Sequence, residues 1–240
     1  MATSARRAER RDEPLSRERI VETAVELLDR SGEGGLTFRA LAQQLATGPG
    51  AIYWHIANKD ELLGAATAAV LTGALTAAAP GSTPQQAVRS LALGVFDAID
   101  AHPWVGAQLA RPFSPSPLLR LMEGLGRQVQ ALGVPEPELF GSASALLHYI
   151  LGVSNQNAAN AVAAATHRPP TSRTAFLAAT STAWAELDPD EFAFVRTVAG
   201  QMREHDDREE FLTGVDLILT GITARLRAAA PPAAGPAREV

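Results

Sequence analysis

Cysteine is absent from the 240 residues, which excludes disulfides, thiolate nucleophiles and Cys-ligated zinc. Lysine is almost absent too: Lys59 is the single lysine among 21 basic residues, and with the abundant Ala, Gly and Pro this reads as GC-rich coding bias before anything functional. Aromatic residues make up only 5%, and the apolar stretches at 65–79 and 158–165 are Ala-rich, short and too weakly hydrophobic to span a bilayer. The first 30 residues mix Arg6, Arg7, Arg10, Arg11, Arg17 and Arg19 with Glu9, Asp12, Glu13 and Glu18, without the apolar core of a signal peptide. A cytoplasmic location is the default expectation. The net charge of -5 argues against indiscriminate coating of nucleic acid but leaves room for a local basic footprint. Catalytic and metal signatures are missing as well. His55, His102, His148, His167 and His205 fall at no metal-ligand spacing, and no HExxH, Gly-rich phosphate loop or GxSxG elbow is present. Asp97, Asp100 and His102 lie close in sequence, an arrangement common at helix ends without catalysis. Neither an enzyme nor a cofactor is expected.

What the chain does contain is helix after helix, each announced by a cap. It is 46% apolar, enough for a substantial core. Ser16 is an N-cap followed by Ile20, Val21, Ala24, Val25, Leu27 and Leu28 at helical spacing, and the run from Ser31 to Gly35 supplies a glycine C-cap. Thr37 caps a second helix with Leu41, Ala42 and Leu45 inward. Ala46, Thr47 and Gly48 make a turn, and Pro49 opens a third helix to about His55. Asn58 and Glu61 form a capping-box pattern for a fourth helix to about Ala79, before Pro80, Gly81 and Ser82 break the chain.

Beyond that break, Thr83, Pro84 and Gln86 start a helix carrying Val88, Leu91, Val95, Phe96 and Ile99. Pro103 allows a short helix to Ala110, residues 111–117 are a Pro-rich loop, and Leu118 to Leu132 is helical with Leu121, Met122, Leu125 and Val129 on one side. A long helix carries Leu139, Ala143, Leu146, Leu147, Ile150 and Leu151 to about Ala165, and a less regular one spans 171–187. Asp188 and Asp206 cap further helices, the last with Phe211, Leu212, Val215, Leu219, Ile222 and Leu226 on a broad face. No β alternation and no internal repeat occur, so the fold is predicted all-α. The expected organisation is an Arg-rich disordered arm at 1–15, a helix-turn-helix domain at 16–62, a larger helical domain at 63–228 and a disordered Ala/Pro tail at 229–240.

From Ser16 to Leu63 the chain resembles the TetR family of bacterial transcriptional repressors. The match is carried by Gly35-Leu36-Thr37, Arg39, Leu41-Ala42, Ile52-Tyr53-Trp54-His55-Ile56 and Asn58-Lys59-Asp60-Glu61-Leu62-Leu63, and the Tyr-Trp-His form is similar to the tetracycline-repressor branch. Weaker similarity continues through His102-Pro103, Arg111-Pro112, Leu147 to Gly152 and Phe211 to Leu226. The resemblance implies a homodimer that binds palindromic operator DNA and releases it when a small-molecule effector fills the second domain. Independently of the family, a single helix-turn-helix reads few base pairs, so two-fold symmetry is the usual route to affinity. Phe211, Val215, Leu219 and Ile222 on the last helix then serve either as the dimer surface or as intrachain core.

The resemblance also assigns residues to DNA. Arg39 suits a guanine edge or a phosphate, while Tyr53, His55 and Lys59 match positions that clamp the backbone; His55 has the alternative of an ordinary packed or surface histidine. Trp54 lies among these positions but is expected to wedge between helices, with Ile52 and Ile56 in the core. Where the family commonly has Gly in the turn and a Ser or Thr donor near the front of the recognition helix, this chain has Ala46 and Thr47 followed by four small or rigid residues, Gly48, Pro49, Gly50 and Ala51. This bare front permits close approach and thymine-methyl contact but offers few hydrogen-bond donors, so specificity leans on Arg39, apolar contacts and DNA shape. The arm with Arg6, Arg7, Arg10 and Arg11 either enters a minor groove or is a solvated tail. For the effector, the candidates are Phe96, His102, Trp104, Gln108, Leu118, Met122, His148, Asn155, Phe176 and Trp184, a mostly apolar set with a few orienting polar groups, each with the alternative of an ordinary core position. Ala107 to Ala110 is shorter than the corresponding tetracycline-repressor segment and lacks its magnesium-holding histidine, which argues against a tetracycline–magnesium ligand. An activator, or a helical binding protein that does not touch DNA, is the remaining alternative.

Overall fold

Side-chain caps start three of the first four helices and a proline starts the other. In the computed structural model, which describes residues 14–76, 79, 81–109, 111, 117–166 and 172–229, α1 (Arg17–Gly35) starts where the Ser16 hydroxyl accepts the Arg19 N–H at 3.3 Å. Gly32 takes φ +62° inside it, so the glycine-rich stretch interrupts the helix for one residue and the chain turns on to Gly35. Thr37 caps α2 (Phe38–Gln44) through the Ala40 N–H at 3.0 Å. Pro49 occupies the first position of α3 (Pro49–Tyr53), which stops two residues short of the expected end. Asn58 caps α4 (Lys59–Leu75) by accepting the Glu61 N–H at 2.8 Å. The reciprocal half of that capping box forms one residue early, since the Glu61 carboxylate takes the Ala57 N–H at 2.8 Å. α4 ends at Leu75, four residues before the predicted Ala79.

The remaining helices are α5 (Pro84–Ala101), α6 (Trp104–Leu109), α7 (Pro117–Ala131), α8 (Glu136–Thr166), α9 (Arg173–Ala185), α10 (Ala193–Val198) and α11 (Asp207–Ala229), with a 3-10 turn, Ala199–Glu204, between the last two. Thr83 and Gln86 complete the capping box of α5 in both directions. Asp188 accepts the Asp190 and Glu191 N–H groups as a cap should, yet the chain makes only a turn there and α10 begins at Ala193. Every regular element among the described residues is helical. Of the arm predicted at 1–15, Leu15 packs against the first core, and of the tail predicted at 229–240, Ala229 is helical; residues 1–13, Pro80, 112–116, 167–170 and 230–240 lie outside the described residues.

Two apolar cores organise these helices. The first gathers Ile20, Ala24, Leu28, Leu36, Leu41, Ile52, Ile56, Leu62 and Leu63. The second gathers Leu71, Val88, Val95, Ile99, Val105, Leu121, Leu125, Leu146, Ile150, Phe211 and Val215 from α4 through α8 and α11. Each fully buried Leu, Ile, Val or Phe contributes about 1.5–3 kcal/mol. α4 belongs to both cores, with Leu62, Leu63 and Ala66 in one and Leu71 and Ala74 in the other.

Candidate nucleic-acid interface

The α2–turn–α3 unit presents one face to solvent. Its inner side is fixed by Ile52 and Ile56, four residues apart and both buried. Trp54 lies between them on the opposite side and is 90% exposed. The expectation that Trp54 is a core wedge is therefore corrected, because the inward positions of this turn are already filled. Beside it Tyr53 is 54% exposed, and its ring stacks flat on Phe38, with centroids 4.4 Å apart and planes 5° from parallel. Arg39, Gly48, Pro49 and Gly50 are exposed, and Thr47, Ala51 and His55 half-buried. A Cβ built on Gly48 or Gly50 meets nothing within 4 Å, so the bareness of this front is not imposed by the chain's own packing.

Polar contacts that sequence reasoning did not find hold this face to the rest of the head. Arg17 donates to the His55 carbonyl and to Glu61 Oε1, both at 2.7 Å, and ties the end of α3 to α1 and α4. The Ala57 N–H, with the Arg17 guanidinium, holds the Glu61 carboxyl below the usual range. Gln44 bridges to Glu26 and Arg30 at 2.8 Å each, bracing α2 against α1. Lys59, expected to clamp a phosphate, is half-buried and donates to the Glu33 carbonyl at 2.7 Å, so its ammonium is already committed in part to the end of α1.

Three expected effector residues instead build the junction between the two cores. Asp29 Oδ1 accepts the Trp104 Nε1–H and the His102 Nδ1 proton, both at 2.7 Å. A carboxylate only accepts, so the imidazole carries its proton on Nδ1. One turn on, Glu33 receives Gln108 Nε2 at 3.0 Å and Arg111 Nη2 at 2.7 Å and 2.8 Å. The Arg111 guanidinium, helped by the Gln108 amide, holds the Glu33 carboxyl below its ordinary range. Trp104 packs against both cores. Asp29 and Glu33 lie four residues apart on either side of the break at Gly32; their partners, more than 70 residues away, were not visible in the sequence.

The other effector candidates divide between the second core and the surface. Phe96 is buried and stacks on Phe211 at 4.7 Å, while Leu118 and Met122 are half-buried against the second core. His148 and Phe176 are exposed, and Trp184 is half-buried on α9. Asn155 is also exposed, with its side-chain amide so close to α6 that a Cβ on Gly106 would overlap it. A cleft of about 1050 Å³ does occur, but it is an open one between α1, α4 and Arg120 of α7, and it contains none of the ten. The dimer candidates need correction as well: Phe211, Val215 and Leu219 are buried within their own chain and Ile222 is half-buried, since α11 turns its broad apolar stripe toward Phe96 and Tyr149. Among the described residues no group of three or more His, Asp or Glu stands close enough to hold a metal, and no helix is long and apolar enough to cross a membrane.

Residues 20–66 match the bacterial regulatory proteins, tetR family, and residues 77–226 match the tetracyclin repressor-like C-terminal domain. The chain belongs to the TetR family. An HTH-type transcriptional regulator of Saccharopolyspora erythraea is 28% identical over 139 residues, 58% of this chain and 59% of that protein. The class C tetracycline repressor of Escherichia coli is 48% identical over 58 residues, 24% of this chain and 26% of the repressor. The chain thus spans about three fifths of the first of these curated relatives and a quarter of the second. Among solved structures, a TetR transcriptional regulator from Streptomyces coelicolor is 59% identical, with a TM-score of 0.80 over 88% of this chain and 99% of that one.

Proposed function

We propose that this TetR-family chain is a DNA-binding transcriptional repressor, acting as a homodimer on a palindromic operator and released by a small-molecule effector. The observation that carries the DNA half is the solvent-facing α2–turn–α3 unit, which leaves Arg39, Tyr53, Trp54 and His55 unburied around a front of Gly48, Pro49, Gly50 and Ala51. Arg39 reads a base edge or a phosphate, Tyr53, Trp54 and His55 hold the backbone, and the small front comes close to the groove. Lys59 acts through α1 at least as much as on phosphate, given its bond to Glu33.

Dimerisation falls to surfaces other than the ones first expected. α8 exposes Gly141, Ala145, His148 and Gly152, and α11 exposes Thr213, Leu217, Thr220 and Ala224, each set spaced four, three and four apart. Leu217, at 69% exposure, is the large apolar group of the α11 set. Two such helices from each copy make a four-helix contact with small residues at the seam.

The effector acts on the second core, where Phe96, Leu118 and Met122 line the apolar interior, and its binding displaces α6. Because Trp104, His102, Gln108 and Arg111 grip α1 through Asp29 and Glu33, that displacement rotates the head. The effector is not a tetracycline–magnesium chelate, given Ala107 to Ala110 at the position of the metal-holding histidine.

The test is selection of duplexes from a random double-stranded library by the purified protein, followed by gel shift and light scattering. A two-fold symmetric site with half-sites about one helical turn apart, bound by a dimer, is expected. A protein that retains no duplex above the non-specific level is a helical binding protein on this fold and not a repressor.

A further inference from the structure

Resting on the operator-binding reading, we propose that Phe38 is a positioning residue for operator recognition: its ring fixes the Tyr53 phenol in the orientation that meets the DNA backbone. α3 is only five residues long, and Tyr53 is its last, so the helix itself gives this side chain little support. The phenol is more than half exposed and would otherwise rotate freely. What holds it is Phe38, stacked on its face at 4.4 Å with the planes 5° apart. Phe38 is held in turn, as the first residue of α2 behind the Thr37 cap and packed against the core of the head. The capped end of α2 thus carries the exposed Arg39 and, through Phe38, fixes the Tyr53 ring. A side chain ordered before binding does not lose its rotational freedom on the DNA, which raises affinity without a new contact. No hydrogen bond is needed between the two rings, and Phe38 need not touch DNA.

A double-mutant cycle on full-length protein, with a duplex selected from a random library by the wild type as probe, separates this role from a structural one. Phe38→Leu keeps apolar volume at the edge of the head core but removes the aromatic face. It is expected to weaken binding about three- to ten-fold, and Phe38→Tyr or Phe38→Trp to restore it to within about twofold. The slope of log K against log salt stays unchanged, since neither ring is charged. In a Tyr53→Ala background, Phe38→Leu is expected to cost less than about twofold more. The wild type provides a measurement free of any folding defect: the Tyr53 ring protons should show the upfield shift of a stacked ring in the DNA-free protein. The proposal is overturned by an equal loss in both backgrounds, by wild-type affinity in Phe38→Leu, or by an unshifted Tyr53 ring. If an additive cycle is seen while wild-type binding is intact, Phe38's role falls alone. Failure of the wild type to retain any duplex overturns the operator reading and this role with it.

Discussion

Replacing Ala46 by glycine should stabilise the protein, although it removes a methyl group and adds no contact. Ala46 has φ +53°, the one described non-glycine residue with positive φ. It occupies that conformation because α2 ends in a Schellman arrangement, the Thr47 N–H reaching the Ala42 carbonyl at 2.9 Å and the Ala46 N–H the Gln43 carbonyl at 3.4 Å. The left-handed conformation costs a residue with a Cβ about 1–2 kcal/mol relative to the right-handed one. Ala46 is exposed, so its methyl returns little by packing. Glycine removes this strain but adds about 0.4–1 kcal/mol of unfolded-state entropy. The net gain for Ala46→Gly is therefore about 0.5–1 kcal/mol, a rise of about 1–4 °C in a chain of this size. Ala46→Val should move the other way by at least a similar amount, because a β-branched side chain is worse still at positive φ. Thermal and urea denaturation followed by circular dichroism measure both. An Ala46→Gly protein melting at or below the wild type would refute the strain argument, and so would an Ala46→Val protein as stable as the wild type.

Three further outcomes test other parts of the structure. Gly50→Ser should leave stability within about 0.5 kcal/mol, since its added atoms enter open space, and should change the base preference in library selection by placing a hydroxyl on the bare front; a melting point several degrees lower contradicts the open geometry. Leu217→Arg should shift the sedimentation mass to that of a monomer with helix content intact, whereas Phe211→Ala, in a fully buried site, should lower stability by about 3–5 kcal/mol; a Leu217→Arg dimer moves the interface elsewhere. Glu33 has its carboxyl held low by Arg111 and Gln108, so its contribution is present above the ordinary glutamate range, roughly pH 4, and is lost as pH falls through the depressed folded value. Glu33→Gln should flatten that acid limb of the stability–pH profile, read from melting curves at stepped pH, and an unchanged limb means that the junction does not titrate through this residue.

The helices were legible wherever local chemistry sets them. Ser16, Thr37, Asn58 and Thr83 all cap the helices their positions announced, because a cap is a contact between a side chain and a backbone N–H three residues on. Apolar spacing likewise gave the inward faces of α1, α5, α7 and α8. The extents were less legible: α4 stops at Leu75, and Asp188 caps a turn that does not propagate. Helix continuation depends on neighbours that a cap does not encode.

The site divided along the same line. Sequence by itself determined that a helix-turn-helix head exists, that Ile52 and Ile56 face inward, and that its front is nearly devoid of donors, since each of these is local. Tertiary structure alone decided that Trp54 faces solvent, that the Phe211 stripe is consumed by Phe96 and Tyr149, and that His102, Trp104 and Gln108 grip α1. The last two depend on which of several apolar or polar faces meets which partner across 62 or more residues. Amphipathic pattern marks a face as buried or hydrogen-bonded without naming what it is buried against.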